Sequence, residues 1–210
     1  SVPSDIVAKG FLTDDLSLQL DGAKGVDTFT IGANTYAIIA SVDDNGVQII
    51  DISNPSNIVA KDHLTDDTSL TLAGARGVKT FTIGSSTYAI VAAVNDNGVQ
   101  IIDVSNPANI VAVDSLVDSG SLELATANGV DTFVIDGNTY AIVTGRDDNG
   151  VQIIELSTET GFSAEKIAGV SLSETLSFAD TISKAADISM SETLSLTDTI
   201  SVDGTVTVAL

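Results

Sequence analysis

Residues 87–116 read TYAIVAAVNDNGVQIIDVSNPANIVAVDSL, and the fold follows from this stretch. Thr87 to Val94 is dominated by Tyr, Ile and Val, which pack well on a pleated sheet. Asn95-Asp96-Asn97-Gly98 follows as a hairpin signal, because Asn and Gly tolerate the positive φ of tight turns. Val99 to Val104 makes the next strand, Ser105-Asn106-Pro107 punctuates it, and Ile110 to Leu116 supplies another. Upstream, Val78, Thr80 and Thr82 alternate with Phe81 and Ile83 before a turn at Gly84. Four short strands joined by hairpins result.

The same pattern recurs on both sides at a fixed step. GVQII begins at Gly46, Gly98 and Gly150, and TYAI at Thr35, Thr87 and Thr139, a step of 52 residues each time. Phe29, Phe81 and Phe133 keep it, as do Pro3, Pro55 and Pro107. Three copies without insertions run from residue 1 to about 156, and the first two are identical at most positions, as after a recent duplication. A unit of this size holding four hairpin-linked strands is the signature of a β-propeller blade. The expected fold is all-β: three four-stranded propeller-type blades over 1–161, then a Ser/Thr-rich tail of β-type hexad repeats over 162–210. A β-trefoil also has three copies of four strands, but in shorter repeats.

The pattern GVQIID(I/V)SNP.NIVA, preceded by TYAI(I/V)A, resembles the LVIVD-type repeat of bacterial and archaeal surface β-propellers. The resemblance spans residues 1 to about 156 and rests on Gly46, Ile49, Ile50, Asp51, Ser53, Pro55 and their equivalents. It implies four-stranded blades presented outside the cell; it does not imply a catalytic site. The third copy departs from it at Glu155-Leu156-Ser157-Thr158-Glu159.

The phase of the copies matters too. Ile6 to Leu12 corresponds to the fourth strand of a blade, three strand triplets follow, and only a degenerate fourth strand is recognisable at 162–168. Three blades are too few for an ordinary ring, so an open array leaves blade faces for a partner surface to cover. A second copy making six blades, or a polymer that exchanges strands, would supply it.

From Val170 the period drops to six, with Leu176, Ile182, Ile188, Leu194, Ile200 and Val206 opening successive hexads. These fit either a triangular β-solenoid or an extended, hairpin-like tail. Such Ser-rich runs resemble segments of archaeal, especially thaumarchaeal, surface proteins. Residues 203–210 read as an alternating strand after an Asp203-Gly204 turn, suited to closing the tail's own sheet or to donation into a neighbour.

Composition removes most other functions. Eight Lys+Arg against 29 Asp+Glu give a net charge of -21, which speaks against nucleic acid and anionic membrane surfaces. With no Cys and one His, thiolate catalysis, disulfides and most zinc sites are ruled out. No apolar run reaches bilayer-spanning length, so no membrane insertion is expected. Acidic, Lys-poor, Ser/Thr-rich composition points to an extracellular or cell-surface location.

The candidate metal site is the acidic turn repeated once per blade: Asp43, Asp44 and Asn45; Asp96 and Asn97; Asp147, Asp148 and Asn149. Oxygen-rich loops suit calcium when six or more ligands converge, and these lack the spacing of an EF-hand loop. The competing reading is a hairpin turn that needs Asx and Gly for its backbone. His63 stands where the other copies have Phe11 and Ser115, as a tolerated variant, and nothing marks a serine nucleophile beside it. The glutamates, Glu123 and Glu155 among them, form no glycosidase motif. The expectation is therefore a non-enzymatic extracellular protein that self-assembles into a filament or surface layer by strand exchange between subunits. The alternative is an adhesion module binding cell-surface glycan or protein.

Overall fold

Each copy of 52 residues folds into an antiparallel meander, and the residues described by the computed structural model, 6–15 and 17–156, hold three of them. The first sheet is β1 (Ala23–Ile31), β2 (Asn34–Ser41), β3 (Gly46–Asp51) and β4 (Val59–Thr65), in that spatial order. The second is β5 (Ala75–Ile83), β6 (Ser86–Ala93), β7 (Gly98–Asp103) and β8 (Val111–Val117). The third holds β9 (Ala127–Ile135), β10 (Asn138–Gly145) and β11 (Gly150–Glu155). Among the described residues there is no helix.

Register repeats with the sequence. Phe29 faces Tyr36 across β1 and β2, Phe81 faces Tyr88, and Phe133 faces Tyr140; each pair stacks with ring centroids 5.6 Å apart. The Asx-Gly hairpins behave as read: Asn45, Asn97 and Asn149 take φ of 54°, 54° and 55°, the left-handed region that Asn tolerates.

Strand alternation sends each blade's side chains to two faces, and the sheets stack through them. The first core lies between the first and second sheets. Phe29, Ile31, Tyr36, Ile38, Val47 and Ile49 of the first meet Leu72, Ala75, Val78, Ala89, Val91 and Ile102 of the second. The next core repeats it one copy later: Phe81, Ile83, Tyr88, Ile90, Val99 and Ile101 meet Leu124, Ala127, Val130, Ala141, Val143 and Ile154. The second sheet is therefore covered on both faces.

Two differences from the sequence reading concern the ends of the array. The third sheet has three strands, not four, among the described residues. Ile6 to Leu12 forms no strand: a fourth strand pairs only with the third strand of its own blade, and the described residues contain none for this segment. The degenerate fourth strand at 162–168, the hexad tail 162–210 and the donor strand 203–210 lie outside the described residues.

Candidate functional site

The acidic turns stand at the same end of each sheet, and most of their side chains bond backbone. Asp44 Oδ2 accepts the N–H of Asp21 at 2.7 Å, Asp96 Oδ2 that of Ala73 at 2.8 Å, and Asp148 Oδ2 that of Ala125 at 2.7 Å. Asn45 Oδ1 accepts the N–H of Gly74 at 2.8 Å, and Asn97 Oδ1 that of Thr126 at 2.8 Å, so these two side chains join neighbouring sheets. Asp43 packs against Gly22. Asp147 accepts from Arg146 Nε at 2.9 Å and from the Thr126 hydroxyl at 2.6 Å, and the two bonds hold its carboxyl below the usual range. Burial pushes Asp96 the other way, with the nearby Asp66 charge adding to it. Among the described residues no three His, Asp or Glu side chains are placed to hold a metal ion. Among the described residues the turns tie each blade to its own entry loop through Asp44, Asp96 and Asp148, and to the next blade through Asn45 and Asn97.

The glutamine at the centre of each GVQII is a second repeated device, and the sequence reading passed over it. Gln48 and Gln100 are buried. Gln48 Oε1 accepts the N–H of Gln19, while its Nε2 donates to the carbonyls of Ile49 and Asp62 at 3.1 Å each. Gln100 does the same with Thr71, Ile101 and Asp114. One side chain thus ties the entry loop, the third strand and the fourth strand together. In the third blade Gln152 bonds Glu123 N–H and the Ile153 carbonyl; among the described residues no fourth strand offers the remaining carbonyl. A polar residue inside an apolar run, repeated in every copy, was the available signal.

Between sheets the contacts are close and polar as well as apolar. Thr80 donates its N–H and its hydroxyl to Asp27 Oδ2 at 2.7 and 2.6 Å. Lys79 Nζ lies 3.5 Å from Asp27 and 3.7 Å from Asp131, bridging all three sheets. Burial raises Asp27, but the Thr80 bonds, the Thr28 N–H and the Lys79 charge outweigh it and hold the carboxyl low. A Cβ on Gly25 would run into the Arg76 carbonyl, and one on Gly77 into the Asn128 carbonyl, so adjacent sheets touch backbone to backbone there. Gly129, at the same place in the third sheet, faces only the Thr144 hydroxyl, at 3.3 Å, among the described residues.

His63 is exposed on β4, opposite Gln48. A shallow depression lined by Ser69, Leu70, Gln100 and residues 112–115 offers a single carboxylate, Asp114. A hydrolytic site of the glycosidase kind would need a second one facing it.

The LVIVD repeat model matches residues 34–66 and 85–118. Each match runs from the second strand of a blade to the end of its fourth. No curated protein matches in sequence. Among solved structures, a thermostable family-43 glycoside hydrolase superposes with a TM-score of 0.51 at 13% identity, over 65% of this chain and 48% of that one. An exo-β-1,3-galactanase from Phanerochaete chrysosporium gives a TM-score of 0.50 at 14% identity, over 72% of this chain and 39% of that one. The chain spans less than half the length of either structure. At such identity the likeness is one of fold. The chain is therefore an all-β protein of propeller type that carries LVIVD repeats on its first two blades.

Proposed function

We propose that this chain is a non-enzymatic, extracellular structural protein whose blade array is completed by neighbouring subunits through strand complementation, as in a filament or surface layer. The observation that carries the reading is the state of the third sheet. Its β11 edge pairs with nothing but β10 among the described residues, and Val134, Ile135, Val151 and Ile153 stand 65%, 54%, 55% and 47% exposed. An open strand edge beside exposed apolar side chains is a template for another chain. The repeated acidic turns and a net charge of -21 keep such an array soluble and suit an outer surface. The Ser/Thr-rich hexads fit the same setting, through their similarity to archaeal surface-protein repeats.

Light scattering after size exclusion, with negative-stain imaging of the same fractions, tests the reading. Oligomers or filaments are expected. A compact monomer at every concentration, salt and calcium level would overturn it.

A further inference from the structure

The repeat shows where the neighbour docks and in what register. We infer that the outer face of the third sheet and the β11 edge together receive a second copy of this chain, at its first sheet and its residues 7–13; this deepens the self-assembly reading and rests on it.

The face supports this first. Phe133, Ile135, Tyr140, Ile142, Val151 and Ile153 are the third-copy equivalents of the residues by which the first and second sheets each pack on the next. The receiving set is Leu, Ala, Val, Ala, Val and Ile in both cores. At the same repeat positions the first sheet carries Leu20, Ala23, Val26, Ala37, Ile39 and Ile50, which differs by one methylene. The two outer sheets thus carry the two sides of a contact already made twice within the chain, with Val26 64% exposed and Ala37 and Ile50 6% exposed on the receiving side. Backbone fit agrees: Gly129 has the room that Gly25 and Gly77 use to approach the next sheet. Asn149 Oδ1 corresponds to the Asn45 and Asn97 oxygens that bond Gly74 and Thr126, and its partner would be the N–H of Gly22, whose φ of 65° matches the 69° of Gly74.

The edge gives the same answer independently. Shifting the β7–β8 register by one copy aligns Gly150, Val151, Gln152, Ile154 and Glu155 with Thr13, Leu12, Phe11, Ala8 and Val7. In the first blade Lys61 Nζ pairs with Asp51 at 3.4 Å, and the equivalents across the proposed junction are Lys9 and Glu155, again of opposite charge. The Gln152 amide would gain the Gly10 carbonyl, as Gln48 and Gln100 have those of Asp62 and Asp114. Residues 7–13 are poised for this role: Gly10 lies against Pro55 and Ile58 of the first sheet, as Asp62 bonds Ile110 of the second. Val7 and Phe11 are 65% and 84% exposed.

Among the described residues the segment makes no ladder with its own β11, and the second sheet packs between the first and the third. Face and edge are occupied by one neighbour placed as a fourth blade. The contact is head-to-tail, so it closes into a ring if the rotation per blade permits and otherwise propagates. One position is mismatched: where Lys79 faces Asp27 and Asp131, the junction sets Asp131 against Asp27 of the second copy. Added salt screens that repulsion and should promote association.

Three measurements on the full chain test this. Gly129→Val should leave the circular dichroism spectrum unchanged while weakening association by about tenfold or more, because the β-branched side chain stands where the second copy's backbone must approach. Mixing a Leu12→Cys chain with a Val151→Cys chain under oxidising conditions should give a covalent pair, since the protein has no other cysteine. Leu12→Cys with Ile153→Cys, two residues out of register, should link far less. Assembly of the wild type that survives Gly129→Val and shows no preference for the 12–151 link would sink this junction while leaving self-assembly by another surface intact. A wild type that never exceeds monomer mass would remove both.

Discussion

Asn97 Oδ1, in the left-handed turn between β6 and β7, accepts the backbone N–H of Thr126 at 2.8 Å and so fastens the second sheet to the loop leading into the third. The residue that permits the turn is also the one that joins the blades, as Asn45 and Gly74 show one copy earlier. These two roles separate by substitution. Asn97→Gly keeps the φ and loses only the bond, at a cost of about 1 kcal/mol. Asn97→Ala loses the bond and adds roughly another 1 kcal/mol of left-handed strain. Urea unfolding of both variants checks the ordering; equal losses would mean that the turn geometry is not at stake.

Gln100 is buried with three hydrogen bonds, and Gln152 is more open with two. Gln100→Leu strands the Thr71 N–H and two carbonyls in the core, so a loss of about 3 kcal/mol is expected. Gln152→Leu should cost under about 1 kcal/mol, because water can reach the groups it leaves. Similar losses in chemical denaturation would contradict the role given to the fourth-strand carbonyl.

Gly77 lies under the Asn128 carbonyl, whereas among the described residues Gly129 meets only the Thr144 hydroxyl. Gly77→Ala must push two sheets apart and is expected to cost about 1–3 kcal/mol. Gly129→Ala should leave the melting temperature of the unassembled chain near the wild-type value. The contrast is readable by thermal unfolding at low concentration.

The Thr80 bonds hold the Asp27 carboxyl below its ordinary value. A carboxylate with a depressed folded pKa stabilises above its unfolded value, near 3.9, and loses that contribution as pH falls through the folded value. Asp27→Asn should therefore cost about 1 kcal/mol at neutral pH, and the gap to wild type should close below about pH 4. Asp96, raised by burial, has the opposite sign: removing its charge by Asp96→Asn should help most at neutral pH and least in acid. Denaturation midpoints across pH would show the two trends diverging.

Much of this molecule was legible along the chain because its determinants are local. The alternation of Thr80 and Thr82 with Phe81 and Ile83 sets a strand. Asn95 to Gly98 sets a hairpin, since positive φ is a property of residue type. The exact step of 52 makes one reading hold for every copy. Gln100, Asp27 and Gly77 were not legible, because their partners Asp114, Thr80 and Asn128 come from another strand or another sheet. Nor could residue type tell that the acidic turns hold backbone N–H groups of the loop that enters their own blade, which depends on where that loop passes. By itself the sequence determined the hairpins and the four strands of each of the first two sheets. Only the tertiary structure decided which face of each blade meets the next, and that among the described residues the third blade has an apolar face and an edge without a partner, because stacking is settled by contacts between residues far apart in the chain.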